Sequence, residues 1–263
     1  MVVLLYVSGE AFGGSRRRCG KSMSATKIVG GKDAEAAWPW MAHVYVCRKW
    51  NTARDKCWSC GGSLISNQWV LTAAHCLDKF AEETSIIEVE FRNYDDYDRE
   101  SNFTVGIKEA SRYHNDIALL KLNKPLDLSD SYSYIQPICL PLAKQTIRVG
   151  TECMATGWGD TISNVDSQSP KLRQVEIPIV ENEDCGWSTN FDPILKLCAG
   201  LNGKGICSGD SGGPLNCPLG NGAWVVTGIT STSHNEGCAT RPSAFTRVTT
   251  FIPWIKNITK LEF

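Results

Sequence analysis

The sequence predicts an all-β fold that ends in one α-helix. After residue 28, short runs rich in β-branched residues alternate with turn residues, and almost no stretch keeps the roughly 3.6-residue period of a helix. The runs 63–66 and 69–72 are separated only by Asn67 and Gln68, which predicts a β-hairpin. Further runs of this kind are Ile86 to Phe91, Ile117 to Leu122, Lys171 to Val180, Ala223 to Thr230 and Ala244 to Val248.

The C-terminus and the middle of the chain complete this layout. An apolar stripe at helical spacing predicts the C-terminal helix, with Pro253 in its first turn. A polar, proline-containing bridge at residues 136–150 divides the β-rich part into two comparable halves. Two packed barrels fit this division, and so does a single larger sandwich. The stripe consists of Phe251, Ile252, Ile255 and Ile258.

Hydrophobicity and net charge argue against a membrane-spanning or nucleic-acid-binding protein. The chain has 263 residues, 42% of them hydrophobic, and no apolar run after the first few residues approaches the ~18 needed to cross a bilayer. Its 27 basic and 28 acidic residues leave a net charge of −1. This balance gives no electrostatic reason to expect nucleic acid or a membrane as a partner. We expect a soluble protein that recognises its partners through a local site.

The cysteine content points to the secretory pathway. Twelve cysteines form an even set, so complete pairing in disulfides is the favoured interpretation. Zinc ligation is the alternative, because Cys57 and Cys60 have C-x-x-C spacing, but no second such pair completes a four-ligand set. Sequons at Asn102 and Asn257 predict glycosylation and fit secretion.

The N-terminal residues resemble part of a signal peptide. Residues 1–14 hold a short apolar run followed by small residues, which is typical of a signal peptide without its basic front end. A disordered tail is the alternative. The basic run at residues 16–18 is either a processing point or solvated charge.

The most specific segment is Gly209-Asp210-Ser211-Gly212-Gly213-Pro214. Glycines around Ser211 let the backbone turn sharply and aim the amides of Gly209 and Ser211 at one point. These donors would hold the oxyanion that develops when Ser211 attacks a carbonyl group. A glycine-rich turn with an incidental serine is the alternative.

A base and a carboxylate complete this chemistry. His75 follows a predicted strand and small residues, and imidazole is the side chain suited to take a serine proton near neutral pH. His43 and His234 are weaker candidates, and so is His114, which lacks a comparable tight motif. Asp116 begins a fully apolar run, where a carboxylate needs a partner, and the other ring nitrogen of His75 supplies one. A solvated aspartate is the alternative.

Together the three motifs, in the order His, Asp, Ser, resemble the chymotrypsin family of serine endopeptidases over nearly everything from Cys19 onward. The resemblance implies two packed six-stranded antiparallel Greek-key barrels, approximately residues 28–140 and 141–263, with a C-terminal α-helix. It also implies catalysis by Ser211, His75 and Asp116 through an acyl-enzyme. Other matching segments are Ile28-Val29-Gly30-Gly31, Trp38-Pro39-Trp40, Cys60-Gly61-Gly62-Ser63-Leu64, Gly157-Trp158-Gly159 and Phe245-Thr246-Arg247-Val248.

The resemblance further implies an inactive precursor. Residues 15–27 would be an activation peptide, removed by cleavage after Lys27. The new α-amino group of Ile28 would then pair with Asp210 and fix the amides of Gly209 and Ser211. The implied disulfides are Cys19–Cys139, Cys60–Cys76, Cys153–Cys217, Cys185–Cys198 and Cys207–Cys238, and they leave Cys47–Cys57 as an additional pair.

The resemblance also locates the pocket for the residue before the scissile bond. Gly205, six positions before the nucleophile, would form its floor, and Ile206 would intrude on it. Neither residue can pair a basic side chain, so we expect small to medium uncharged residues there, as in elastase-like members, ahead of leucine or aromatic residues. Its walls would include Ser231, Thr232, Ser233 and Ser243.

The remaining expectations concern cofactors, partners and a rival function. We expect no cofactor, because a solvated loop is favoured over calcium binding for the acidic residues Asp95, Asp96, Asp98 and Glu100. We expect a secreted, extracellular monomer with polypeptide substrates, a trypsin-like activating protease and protein protease inhibitors as partners. The rival function is a catalytically silent homologue that binds other proteins.

Overall fold

The computed structural model describes residues 19–22, 32–33, 38–48, 57–78, 85–91, 103–129, 135–163, 165–186, 191–233 and 237–262. Several predictions lie outside these residues. They concern the leader at residues 1–14, the cleavage site between Lys27 and Ile28, the acidic residues 95–100, the sequon at Asn102 and the rival base His234.

Six strands form a closed antiparallel barrel in the first half of the chain. Around the barrel they follow the order β2-β3-β4-β7-β6-β5, in which β7 pairs with β4, and pairing of β5 with β2 closes the ring. The predicted hairpin is present, because Ser63 pairs with Leu71. These strands are β2 (Met41–Arg48), β3 (Cys57–Leu64), β4 (Trp69–Thr72), β5 (Ser85–Phe91), β6 (Phe103–Tyr113) and β7 (Ile117–Leu122).

Six strands of the second half form another closed barrel. Their order is β9-β10-β13-β12-β11-β8, and pairing of β8 with β9 closes the ring. The short strand β1 (Lys32–Asp33) extends this sheet by pairing with β9, although it precedes the first barrel in the chain. Two barrels are therefore present and the single sandwich is wrong. The strands are β8 (Glu152–Gly157), β9 (Arg173–Val180), β10 (Lys196–Ala199), β11 (Pro214–Pro218), β12 (Trp224–Thr232) and β13 (Ser243–Arg247).

The C-terminal helix α1 (Val248–Thr259) follows directly on β13. Its apolar side, including Phe251 and Ile255, packs into the core that contains the first barrel. The prediction that Pro253 lies in the first turn was wrong. The helix already begins at buried Val248, and Pro253 lies inside it on the exposed side. Within the described ranges, no helix is long and apolar enough to span a membrane.

Side-chain hydrogen bonds and disulfides join the two barrels and their loops. The indole nitrogen of Trp40 donates to Asn216 Oδ1 across the barrels at 2.8 Å. All twelve cysteines are paired, so none is left to bind zinc as a thiolate. The six disulfides are Cys19–Cys139, Cys47–Cys57, Cys60–Cys76, Cys153–Cys217, Cys185–Cys198 and Cys207–Cys238, the same pairs that the family resemblance implied.

Candidate active site

His75 begins a short 3₁₀ turn (His75–Leu77) directly after β4. Ala73, two residues earlier, is fully buried, and the disulfide between Cys76 and Cys60 ties the turn to β3. The His75 side chain keeps 36% of its surface exposed. The local sequence thus anchors the backbone in the core and leaves the imidazole accessible at the surface.

Asp116 lies in the turn between β6 and β7 and faces His75. Its left-handed backbone, with φ of 64°, is uncommon for a residue with a side chain. His75 Nδ1 lies 2.9 Å from Asp116 Oδ1 and 3.1 Å from Oδ2. The His75 amide also donates to Oδ1 at 3.0 Å. The carboxylate therefore holds both the ring and the backbone of the histidine.

Two hydroxyl groups of the second barrel hold Asp116 from the other side. Ser231 Oγ donates a short hydrogen bond to Asp116 Oδ2, and Thr246 Oγ1 donates to the Asp116 carbonyl oxygen at 3.0 Å. Burial alone would raise the pKa of Asp116. The hydrogen bonds and charge of His75, together with Ser231, outweigh burial and hold that pKa well below its usual range. Asp116 is therefore an anion at neutral pH.

The segment at Ser211 is attached to β3, the strand that a disulfide ties to the turn of His75. The Gly61 amide donates to the Ser211 carbonyl oxygen at 2.7 Å, and the neighbouring Cys60 is bonded to Cys76. A Cβ atom added to Gly212 would lie 2.2 Å from Thr72 Oγ1. Such close approach requires glycine at that position, and it places Gly212, the residue after Ser211, against the end of β4.

Within the part of the chain that the structure describes, two backbone amides around Ser211 donate to no acceptor. The amides of Asp210 and Gly212 donate to the carbonyl oxygens of Cys207 and Thr230 at 3.1 and 2.9 Å. For the amides of Gly209 and Ser211, no acceptor is found among the described residues. Gly209 has a φ of 93°, a conformation that favours glycine. The amides of Gly209 and Ser211 are the two that the sequence predicts as oxyanion donors.

Asp210 lines a cavity of about 320 Å³. Its carboxylate accepts the amides of Gly159 and Cys207, each at 2.8 Å. Burial raises the pKa of Asp210 to about 6, the two amides oppose the rise, and the charge of Asp160 adds to it. A buried carboxylate with this pKa has room beside it for a cation.

The residues predicted to form the specificity pocket differ in burial and in what they contact. Gly205 and Ile206 line the cavity beside Asp210, and Ile206 is 3% exposed. Ser243 is buried, whereas Thr232 is exposed at the surface. The hydroxyl of Ser231, which is half-buried, contacts Asp116. Ser233 is half-buried.

The remaining candidates are the rival histidines, the possible metal ligands and the sequon at Asn257. His43 is buried and stacks on Trp158, with ring centroids 4.3 Å apart, as expected for a packing residue. His114 stacks on Tyr113. His75, Cys60 and Cys76 are close enough to form a metal-ligand cluster, but the two cysteines are joined in a disulfide and offer no thiolate. Asn257 is exposed on α1.

The sequence reasoning missed two residues of this site, Lys196 and Thr246. Lys196 Nζ lies 3.8 Å from Asp116 Oδ2, and Thr246 holds the Asp116 carbonyl oxygen. Thr246 belongs to the segment 245–248, which resembles the family but predicts no role for Thr246. Lys196 gives no local signal, because it lies 80 residues from Asp116 in the chain.

Comparison with known proteins agrees with this geometry. A family model described as Trypsin matches residues 28–255. A tryptase from Mus musculus is 37% identical over 266 aligned positions, which cover 93% of this chain and 93% of the tryptase. The match extends across both barrels and includes all the residues of the site. The chain therefore belongs to the trypsin family of chymotrypsin-like proteins and is a serine endopeptidase.

Proposed function

We propose that this endopeptidase cleaves its polypeptide substrates through an acyl-enzyme on Ser211. The observation that carries the proposal is the contact between Asp116 and His75 Nδ1. An imidazole that donates from Nδ1 keeps Nε2 free to accept a proton. As Ser211 Oγ attacks the substrate carbonyl carbon, its proton passes to Nε2, and the amides of Gly209 and Ser211 hold the resulting oxyanion.

The second half of the reaction follows from the same groups. His75 returns the proton to the leaving amine as the C–N bond breaks, which leaves an ester on Ser211. Water then attacks the ester carbonyl carbon while His75 takes one of its protons. The bond from that carbon to Ser211 Oγ breaks, His75 returns the proton to Oγ, and the carboxylic acid product leaves. Asp116 stays ionised throughout and stabilises the imidazolium.

Covalent labelling tests this assignment. Trypsin-treated protein should react with a fluorophosphonate probe at Ser211, and Ser211→Ala should abolish both labelling and peptide hydrolysis. Ser208→Ala, which changes an exposed serine of the same loop, is the matched control and should label normally. Hydrolysis without labelling of Ser211 would refute the assigned nucleophile. Absence of both would favour the silent homologue.

We further propose that the protein is made as a zymogen and is activated by cleavage after Lys27. The support is Asp210, whose buried carboxylate has only backbone donors among the described residues and adjoins a cavity. The α-amino group of Ile28 would enter this cavity as the missing cation and pull the pKa of Asp210 down. The disulfide between Cys19 and Cys139 would keep the released peptide attached.

Activation can be followed by N-terminal sequencing and activity. Trypsin treatment should create a new N-terminus at Ile28, and activity should appear together with it. Asp210→Asn should be cleaved normally but remain at least ~100-fold less active, because the new amine finds no anion. Asp166→Asn, an exposed carboxylate on a neighbouring loop, should activate fully. Full activity of Asp210→Asn would contradict the mechanism.

We propose a preference for small to medium uncharged residues before the scissile bond. Gly205 and Ile206 supply no carboxylate to pair with a basic substrate residue. The bulky side chain of Ile206 also occupies space that a large substrate side chain would need. Leucine or aromatic preference is the alternative. Cleavage of a peptide library by the trypsin-activated protein distinguishes them, and dominant cleavage after Arg or Lys would refute both.

A gain of function sharpens this test. Gly205→Asp should shift cleavage toward Arg and Lys, since it would place an anion on the proposed pocket floor. Gly220→Asp, at an exposed glycine with open space around it, adds the same charge elsewhere and should leave the preference unchanged. Without a carboxylate in the pocket, the enzyme should also fail to cleave itself after Lys27. Second-order conversion of rigorously purified precursor would refute this corollary.

We also propose that the protein is secreted and works outside the cell as a monomer controlled by protein inhibitors. The support is its full set of disulfides, which persist in oxidising compartments. Expression in cultured cells followed by size-exclusion chromatography of the medium tests secretion and the monomeric state. Retention of the protein inside the cells, or elution as a dimer, would refute the corresponding part.

A further inference from the structure

Lys196, the first residue of β10, lies beside the proposed triad. Its Nζ is 3.8 Å from Asp116 Oδ2, and the two side chains are only 22% and 19% exposed. Lysine is seldom withdrawn from water unless its charge is used. Asp116 already receives hydrogen bonds from His75 and Ser231, so the carboxylate does not need Lys196 to be satisfied. The position of Lys196 is therefore not explained by a need to complete the hydrogen bonds of Asp116.

The ammonium group of Lys196 fixes the direction of two neighbouring hydroxyl groups. Lys196 Nζ lies 2.7 Å from Ser231 Oγ and 3.1 Å from Thr246 Oγ1. An ammonium group only donates, and each hydroxyl has a single proton. Both hydroxyls must accept from Lys196 and therefore point their protons elsewhere. Ser231 directs its proton to the Asp116 carboxylate, and Thr246 directs its proton to the Asp116 carbonyl oxygen.

The sheet fixes Lys196 in this place. Lys196 pairs with Thr246 across β10 and β13, so the two side chains are neighbours. The guanidinium of Arg247 donates to the Lys196 carbonyl oxygen at 2.9 Å from Nη2 and 3.2 Å from Nε. Burial lowers the pKa of Lys196, and the Asp116 carboxylate opposes that change. The ammonium is thus held by several contacts and stabilised by the same anion that holds His75.

We propose that Lys196 is a positioning residue for catalysis, which orients the two hydroxyls on Asp116 and lets His75 act as a base at lower pH. The inference depends on the triad proposed above. Once His75 gains a proton, two cations share one carboxylate, and their repulsion favours the neutral imidazole. Lys196 therefore extends the activity of the enzyme toward acidic conditions.

Other charged groups near His75 act differently. Asp78, Arg112, Tyr113 and His114 line a cavity of about 400 Å³ together with His75 and Asp116. Arg112 Nη1 is 3.9 Å from Asp78 Oδ1, so these opposite charges offset each other at His75. The exposed surroundings of this pair also screen it. Lys196 contacts the carboxylate directly and from the buried side.

The test is the pH dependence of kcat/KM in trypsin-activated variants. Lys196→Met and Lys196→Gln should both move the acid limb of the profile upward by about 0.5 pH unit, because both remove the charge. Lys196→Arg keeps the charge and should stay within about 0.2 unit of the unmodified enzyme. Lys124→Met removes a cation from the exposed surface of the first barrel and should also leave the limb in place. An unchanged limb in both neutral variants overturns the inference.

A measurement independent of turnover separates this inference from the proposed mechanism. In the Ser211→Ala background, NMR titration of the His75 ring should give a higher pKa after Lys196→Met by about the same 0.5 unit. A wild-type enzyme that neither labels nor hydrolyses peptides would refute the mechanism but leave this titration readable. An equal shift in Lys196→Arg would assign the effect to packing and overturn the role of the charge.

Discussion

One oxygen of Asp116, Oδ1, accepts both the ring nitrogen Nδ1 of His75 at 2.9 Å and the His75 backbone amide at 3.0 Å. The orientation of the imidazole is therefore coupled to the position of the turn that carries it. Because Asp116 is itself held by Ser231 and Thr246, both barrels contribute to this geometry. Loss of the carboxylate should harm catalysis more than folding.

Asp116→Asn should reduce kcat by roughly 10³–10⁴-fold. An amide facing His75 donates from nitrogen and favours the tautomer with the proton on Nε2, which cannot accept the proton of Ser211. The measurement is kcat on activated protein, with thermal unfolding to establish that the variant folds. Asp127→Asn, at an exposed aspartate, should keep its activity. A loss below tenfold would contradict the assigned role.

Asp210 should make the precursor less stable as pH rises from about 4 to 6. The folded pKa is about 6, whereas an unfolded chain has a value near 3.9. The folded state therefore binds more protons within this window, and stability falls with pH by about 2–3 kcal/mol, then levels off. Urea unfolding of uncleaved Ser211→Ala protein measures this trend.

The matched control for that titration is Asp210→Asn in the same background. It should lose this component of the pH dependence. The difference in free energy of unfolding between the two proteins should therefore change mainly between pH 4 and 6. A constant difference across the window would show that burial does not shift the pKa of Asp210.

Gly212→Ala should destabilise the protein by more than about 3 kcal/mol. Its φ is 78°, and an added Cβ would lie 2.2 Å from Thr72 Oγ1 and 2.5 Å from the Gly61 carbonyl oxygen. Gly150→Ala is the control, because Gly150 has a similar φ of 81° but nothing within 4 Å. That change should cost only about 1 kcal/mol. Equal losses in urea unfolding would refute the steric explanation.

The Cys47–Cys57 disulfide joins neighbouring strands of the first barrel across a sequence separation of 10 residues. Replacing both cysteines with alanine should lower the free energy of unfolding by about 2–3 kcal/mol, chiefly by releasing the unfolded chain. Because the disulfide is not part of the triad, kcat/KM of the activated protein should stay within about twofold. A large loss of activity in a folded variant would connect this hairpin to substrate binding.

Several elements were predictable because their signals are local. Alternating runs predicted the hairpin at Ser63–Leu71, and the apolar stripe predicted the C-terminal helix. The helix boundary failed, because burial of Val248 at the end of β13 allows the helix to start before the residues that show its period. Barrel closure could not be derived from these runs, since it depends on pairings between distant strands such as β8 and β9.

The sequence by itself determined the fold class and the candidate catalytic residues, because the motifs around His75, Asp116 and Ser211 have a residue pattern that few other functions need. Only the tertiary structure decided what surrounds them. Ser231 and Lys196 reach Asp116 from 115 and 80 residues away. Contacts at such separations are set by the packing of one barrel against the other and by strand register, and neither has a local period that a sequence can display.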